Sequence, residues 1–245
     1  MIVKMIISII LQIIVLLFLL TKERHNGEKE LFKRQKWQPC DVVIIMIIWN
    51  IILILSTFMA LNFKSIYKLN FAFLVSLFLL LIILGYAKVK YKQKNTDFGF
   101  RKSLHANLFF ISFVLGSFLF VIFSMLLLYS ADSNEFLIIK KYFYYIQSGF
   151  FLLFITPVLE ELLFRGINYS VYRKRYSPKW AIIMSSMLFA PGHIKGIVLP
   201  FIAGIVCGMI YERKESLPMA ICAHGLVNAG GFIYMIMFNQ ITVPF

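Results

Sequence analysis

Long apolar runs separated by short basic segments are the feature that most constrains how this chain can fold. A helix needs about 20 apolar residues to cross the hydrocarbon core of a bilayer. Several runs have that length, and the alternating pattern of a β-barrel is absent, so the runs are predicted to be helices. The sequence therefore predicts an all-α polytopic transmembrane bundle of about eight spans, at residues 5–20, 42–63, 71–87, 106–130, 142–169, 180–191, 196–211 and 217–238.

The distribution of Lys and Arg orients this predicted bundle. Most of the 25 basic residues follow the first, third, fifth and seventh runs, in segments 22–41, 88–105, 173–179 and 213–214. Because short cytoplasmic loops are enriched in basic residues, we place these segments in the cytoplasm and both termini outside. The net charge of +14 then indicates membrane lipids as partners and no nucleic acid. Abundant Lys, Ile and Phe suggest an A+T-rich genome, and hence a bacterial cell membrane.

Polarity divides the chain, although residues 1–245 are predicted to form one integral-membrane domain. Residues 1–141 have spans that are almost free of charge, with Asn50 as their main polar side chain, and are predicted to be scaffold helices. Residues 142–238 carry Glu, Arg, His and Asn inside apolar runs. Ionisable side chains are expensive in lipid and therefore mark candidate functional sites. We predict that this second segment is a catalytic core.

The first polar motif is EELLFR, residues 160–165, in the fifth run. Glu161 and Arg165 are four residues apart and share a helix face, whereas Glu160 is rotated by about 100°. Arg165 can then neutralise Glu161 while Glu160 stays available for acid and base chemistry. A structural ion pair between Glu161 and Arg165 is an equal alternative, but it leaves Glu160 unexplained.

Two further motifs, FAPGH and HGLVN, each place polar side chains one helical turn apart. Phe189 and His193 share a face, and the Pro-Gly pair between them is predicted to bend or end the sixth helix. His224 and Asn228 repeat the spacing in the eighth run, among Ala and Gly residues that permit close helix approach. Each histidine alone is more typical of a hydrogen-bonded core residue, but the three-part pattern favours a catalytic role.

These groups supply the chemistry of a hydrolase that lacks a Ser or Cys nucleophile. A glutamate and a histidine can activate a water, and a histidine and an asparagine can donate hydrogen bonds to a developing oxyanion. A zinc site is the nearest alternative, because Glu160, Glu161, His193 and His224 include plausible ligands. No HExxH motif is present and Asn228 is a poor zinc ligand, so a metal-free site without a cofactor is expected.

The motifs EExxxR, FxxxH and HxxxN, in this order on separate runs, resemble the signatures of the CAAX protease and bacteriocin-processing family. This family includes the type II CAAX prenyl endopeptidases, and the resemblance covers residues 156–228. It implies an all-helical intramembrane fold and a glutamate-dependent peptidase whose site opens toward the cytosol. It also implies roles for six residues: Glu160 and His193 activate the water, His224 and Asn228 stabilise the tetrahedral intermediate, and Glu161 and Arg165 orient the site.

The sequence leaves the substrate and two other function classes open. Phe164 and Phe189 are expected to be packing residues, although either could line a substrate pocket beside the catalytic groups. The resemblance allows a peptide or membrane-protein substrate, including a prenylated C-terminus or a bacteriocin precursor. A proton-coupled transporter would usually show repeat symmetry, which is not found here. A noncatalytic membrane partner or bacteriocin self-immunity protein could use the same fold without hydrolysis.

Overall fold

The computed structural model describes residues 10, 12–17, 30–62, 65–92, 94–100, 145–193 and 196–237. Within these ranges the regular structure is helical and contains no strand, so the all-α prediction is confirmed for them. The fourth predicted span, residues 106–130, lies outside the described residues. Most of the first predicted span, residues 5–20, does as well.

Among the described residues, four helices precede the segment that carries the polar motifs. We name them α1 (residues 12–17), α2 (Glu30–Arg34), α3 (Pro39–Asn62) and α4 (Ser65–Tyr91), and a 3-10 turn at Asn95–Phe98 follows. Helix α3 begins with a proline, which lacks the N–H that a first turn leaves unpaired anyway, and has Asp41 in that turn. Helix α4 ends with Lys88 and Lys90, which complement the negative end of the helix dipole. Both helices extend beyond the predicted apolar runs into charged sequence.

Helix α5, residues 145–173, carries the EELLFR motif and is not a uniform α-helix. A short α-helical segment, Thr156–Glu161, lies between two π-helical segments, Phe151–Ile155 and Leu162–Tyr169. Pro157 explains the first irregularity, because proline has no N–H to donate and its ring clashes with the carbonyl four residues earlier. The widened π turn relieves this clash while the helix continues.

The last three helices are α6 (Pro178–Phe189), α7 (Val198–Lys214) and α8 (Leu217–Met237). Helix α6 ends in a 3-10 turn at Ala190–Gly192, and His193 then has extended backbone, with φ −100° and ψ 104°. The predicted end of the sixth helix at the Pro-Gly pair is therefore confirmed. Helix α7 ends where Glu215 takes a left-handed conformation, φ 50° and ψ 34°, and a two-residue connection leads into α8.

One described helix is long and apolar enough to cross a membrane by length and composition, at Leu217–Tyr234 in α8. The stretch Pro39–Ile52 of α3 is apolar but shorter. Helix α6 has 12 residues, which is about 18 Å of helix and less than a bilayer core. The arrangement of eight spans therefore stays a prediction.

The hydrophobic core lies where α3, α4 and α5 meet the C-terminal helices. Its buried members include Met46 and Trp49 of α3, Leu163 and Phe164 of α5, and Phe189 of α6. Helix α7 packs against α6 and α8, and α8 packs against the first half of α5. Helices α5, α6 and α8 therefore bring the three polar motifs to one region, with α7 behind them and α3 beside them.

Candidate active site

The two adjacent glutamates lie at the end of the α-helical segment of α5, where the second π segment begins. Glu161 is fully buried, and the whole Glu160 residue is 8% exposed. Both side chains reach His224 of α8, and Glu161 also pairs with Arg165 on its own helix. The helix therefore presents one enclosed carboxylate and one that retains a small opening to the outside.

Arg165 holds Glu161 in place from one turn further along α5. Its Nη1 donates to Glu161 Oε1 at 2.9 Å, and its Nη2 donates to the carbonyl of Gly204 on α7 at 2.8 Å. Its guanidinium carbon also lies 4.9 Å from the centre of the Phe189 ring. Both charged side chains have no solvent exposure, so a guanidinium without its carboxylate would leave an uncompensated charge in the core. The fork of Arg165 thereby connects α5, α6 and α7.

His224 contacts both glutamates through opposite sides of its ring. Its Nδ1 lies 2.8 Å from Glu161 Oε1, and its Nε2 lies 3.5 Å from Glu160 Oε2. A carboxylate oxygen accepts hydrogen bonds, so Nδ1 donates to Glu161. The contact between Nε2 and Glu160 is attractive when a proton lies between them, on either the imidazole or the carboxyl group. This geometry is suited to proton exchange between Glu160 and His224.

His193 approaches the same region from the turn after α6. Its ring packs on Phe189 at a centroid distance of 4.7 Å, and His224 packs on Phe189 at 5.5 Å. Phe189 therefore contacts both imidazoles, one from the turn after α6 and one from α8. The Nδ1 atom of His193 is buried and has no hydrogen-bond partner among the described residues. A buried polar atom of this kind is commonly satisfied by water or by a bound molecule.

Asn228 lies one turn after His224 on α8, but its amide points to the main chain of α5. Its Nδ2 donates to the carbonyl of Leu152 at 2.8 Å. An amide nitrogen has two N–H groups, so this bond leaves one donor. The expected role of Asn228 as an oxyanion donor stays a prediction.

Phe164 and Phe189 are packing residues in this conformation, at 1% and 2% exposure. Phe189 contacts Phe164 edge to face at 5.3 Å, and Phe164 contacts Trp49 in the same way at 6.1 Å. Their rings fill the space behind the site and offer little surface to a substrate. A pocket role for either residue stays a prediction.

Three contributors to the site were missed by sequence reasoning. Trp49 packs on Phe164 from α3, and its indole nitrogen is buried and unpartnered among the described residues. Gly204 supplies the carbonyl that receives Arg165, and Leu152 supplies the one that receives Asn228. A tryptophan in an apolar run looks like any other core residue in the sequence. Every residue has a backbone carbonyl, so the sequence does not indicate which carbonyls accept hydrogen bonds from site residues.

The described residues contain no group of three His, Cys, Asp or Glu side chains placed to hold a metal ion. What the arrangement offers chemically is a partly accessible carboxylate, an imidazole beside it and a second imidazole nearby. The fixed Glu161–Arg165 pair supports the first imidazole. Such groups can remove a proton from water and return it to a leaving group.

Residues 142–230 match the family model described as type II CAAX prenyl endopeptidase Rce1-like. No individually curated protein and no solved structure matches the chain. The match covers less than half of the chain, contains all six candidate catalytic and orienting residues, and begins before the first motif. The resemblance inferred from the motifs is confirmed for this segment, and similarity to an endopeptidase family indicates a protease.

Proposed function

We propose that this protein is an intramembrane endopeptidase that uses Glu160 to activate a water molecule for peptide-bond hydrolysis. The observation that carries the proposal is the chain of contacts from Arg165 through Glu161 and His224 to Glu160. Each contact fixes the next side chain, and the chain ends at the one carboxylate with an opening to the outside. Fixed groups of this kind lower the reorganisation that a reaction requires.

In the proposed reaction, Glu160 takes a proton from water while the oxygen attacks the substrate carbonyl carbon. The tetrahedral intermediate then collapses as its C–N bond breaks, and the proton passes from Glu160 to the leaving amine. The 3.5 Å contact favours His224 as the group that shares a proton with Glu160. His193, with its unpartnered Nδ1, is the better candidate donor to the substrate carbonyl oxygen. This assignment exchanges the roles that the family resemblance implies for the two histidines.

The apolar exterior supports placement of this site in a membrane. Helix α3 exposes a stripe at helical spacing, including Ile44, Ile47, Ile51, Leu55 and Phe58, each about half exposed. An apolar face of this length is unusual on a soluble monomer and is suited to acyl chains. We extend this interpretation to the eight-span arrangement, with the basic segments in the cytoplasm and the site in the cytoplasmic half of the bilayer. The substrate would be a peptide or a membrane-protein segment, and the chemistry would need neither metal nor cofactor.

The test compares Glu160→Gln with the native protein in membranes. The substituted amide keeps the shape of the glutamate side chain but cannot take the proton, so the rate of substrate cleavage should fall by about 10²-fold or more. Glu215→Gln makes the same chemical change at the junction of α7 and α8 and should retain activity. Because the substrate is unidentified, peptides in cells producing each form are compared by mass spectrometry, and products absent only from the Glu160→Gln cells identify it.

Two outcomes would contradict the proposal. A noncatalytic partner would leave the peptide profile unchanged by Glu160→Gln while both variants insert normally. A metallopeptidase would lose cleavage after exhaustive chelation and regain it with zinc, whereas the proposed mechanism predicts full retention of activity.

A further inference from the structure

Pro157 removes a backbone donor from α5 shortly before Glu160 and Glu161. The N–H of Thr156 donates to the carbonyl of Phe151, five residues earlier, as expected for a π turn. The next donor in this series would be residue 157, which has no N–H because it is proline. The carbonyl of Leu152 is therefore left without its α-helical partner, Thr156, and without its π-helical partner, residue 157.

Helix α8 supplies what α5 lacks at this point. The side-chain amide of Asn228 donates to the Leu152 carbonyl at 2.8 Å. One turn earlier on the same face, Gly225 lies against the neighbouring carbonyl, and a Cβ atom there would be only 2.8 Å from the oxygen of Leu153. Helix α8 thus docks on two successive carbonyls at the proline break, through an amide and through a residue without a side chain.

The docking point is close to the catalytic contacts along both helices. Gly225 directly follows His224, Asn228 lies one turn after His224, and Leu152 lies about two turns before Glu160. A shift or rotation of α8 at the proline break would move the imidazole away from Glu160 and Glu161. The 2.8 Å and 3.5 Å contacts of His224 therefore depend on the register that this docking sets.

Pro191, in the 3-10 turn that follows α6, shows a similar arrangement. In the 3-10 turn at Ala190–Gly192, the N–H of His193 donates to the carbonyl of Ala190, three residues earlier. In the same pattern the Leu188 carbonyl would pair with residue 191, which is proline and has no N–H. Gln12 of α1 donates to that carbonyl at 3.4 Å, and Asn50 of α3 donates to Gln12 at 2.6 Å. At both prolines, a side-chain amide from another helix donates a hydrogen bond to the carbonyl that lacks its backbone donor.

We propose that Asn228 is a positioning residue whose amide replaces the backbone donor lost at Pro157 and so fixes His224 against the two glutamates. The inference deepens the proposed function, on which it rests, by giving Asn228 a role that requires no contact with substrate. Restoring a backbone N–H donor at residue 157 should therefore make the position of His224 depend less on Asn228.

The experiment is a double-mutant cycle with Asn228→Leu, Pro157→Ala and the combined variant, measured as kcat and KM on a cleaved peptide. Asn228→Leu keeps the side-chain volume but removes the donor, and kcat should fall at least about tenfold with KM within about twofold of native. Adding Pro157→Ala restores an N–H for the freed carbonyls and should recover at least about fivefold of that loss. Equal losses from Asn228→Leu in both backgrounds would overturn the proposal and favour direct contact with the oxyanion.

Thermal unfolding of the same four proteins in detergent gives a readout that does not require peptidase activity. The proposal predicts that Asn228→Leu lowers the melting temperature less in the Pro157→Ala background than in the native one. Gly225→Ala should also reduce kcat, because its methyl group separates α8 from Leu153, whereas Gly230→Ala has nothing within 4 Å and should not. Absence of peptidase activity in the native protein would contradict the proposed function. If the changes in melting temperature caused by Asn228→Leu and Pro157→Ala simply add in the combined variant, the positioning role is wrong.

Discussion

Arg165 determines how two neighbouring glutamates can be placed in an apolar interior. It neutralises Glu161 at 2.9 Å, and Glu161 in turn holds His224 at 2.8 Å, which leaves Glu160 as the partly accessible carboxylate. A lysine would supply a charge but not the fork that reaches Glu161 and the Gly204 carbonyl together. The division between an enclosed and a partly accessible glutamate therefore follows from a single guanidinium.

Gly204→Ala tests how strictly this guanidinium is held. A Cβ atom at residue 204 would lie 3.3 Å from Arg165 Nη2 and 3.0 Å from Ser186 Oγ. The crowding should reduce the free energy of unfolding by about 1–3 kcal/mol and reduce kcat by about tenfold or more as Arg165 moves from Glu161.

Gly230→Ala is the matched control, because a Cβ atom there meets nothing within 4 Å. In a helix it should leave activity unchanged and raise stability slightly, by up to about 1 kcal/mol. Thermal unfolding in detergent and peptide cleavage are measured on both variants. Native stability and activity in Gly204→Ala would show that Arg165 can reposition freely.

At the scale of elements, local spacing was predictable and the relative rotation of helices was not. The four-residue spacing predicted that Glu161 and Arg165 share a face, and the 2.9 Å contact follows from one turn of helix. That both ring nitrogens of His224 face glutamates depends on how α8 packs against α5, which no single run encodes. The π segments were also missed, because analysis of apolar periodicity assumes a regular 3.6-residue repeat.

A polar cluster joins the first turn of α3 to the end of α4, the opposite ends from the loop that connects these two helices. Asp41 accepts hydrogen bonds from Tyr86 and Lys90 on one oxygen, and from Tyr91 on the other. Trp37 packs against the two tyrosines. Burial acts to raise the pKa of Asp41, but the hydrogen bonds, led by that from Tyr91, outweigh it and lower the pKa below 3.8. Burial, followed by the bond to Asp41, raises the pKa of Tyr91 from 10.0 to about 12.

These shifts predict how the stability of the cluster depends on pH. A lowered Asp41 pKa contributes stability that is present above pH 3.8 and is lost as the pH falls through the folded-state pKa. A raised Tyr91 pKa contributes stability that is present below pH 10.0 and is lost as the pH rises to about 12. Asp41→Asn should therefore lower stability by about 2 kcal/mol near neutral pH.

The measurement is the melting temperature of native and Asp41→Asn protein in detergent between about pH 3 and about pH 12. The difference between the two should be widest in the middle of this range and should shrink toward both ends. Asp97→Asn, which changes a carboxylate outside the cluster, is the control and should not reproduce this profile. A difference that stays constant across the range would show that Asp41 acts by packing alone.

At the scale of the whole molecule, the distribution of apolar surface among the described residues supports the proposed placement in a membrane. Large side chains on α4, α7 and α8, such as Phe78, Leu199 and Leu226, are about two-thirds exposed or more. The ion pair of Arg165 with Glu161 meanwhile has no solvent exposure. This inverted pattern is expected when the surrounding solvent is lipid.

Two native cysteines allow this arrangement to be tested without a new reactive group. Cys40 lies at the start of α3, beside Asp41, and Cys222 lies on α8, about 8 Å from its first residue. Both are exposed at the protein surface, so in water both would react with a polar maleimide. In a bilayer, Cys222 would face acyl chains, which a polar maleimide does not enter, while Cys40 would lie at the cytoplasmic surface.

We therefore expect a membrane-impermeant maleimide to label Cys40 in inside-out vesicles but not in intact cells. Cys222 should be labelled in neither preparation until the membrane is dissolved and the protein is unfolded. Mass spectrometry identifies the labelled site, and Cys40→Ser and Cys222→Ser proteins are the controls. Labelling of Cys40 from outside would reverse the predicted orientation. Equal labelling of Cys40 and Cys222 in sealed vesicles would place α8 in water. Because α8 carries both Cys222 and His224, this result would contradict a catalytic site within the bilayer.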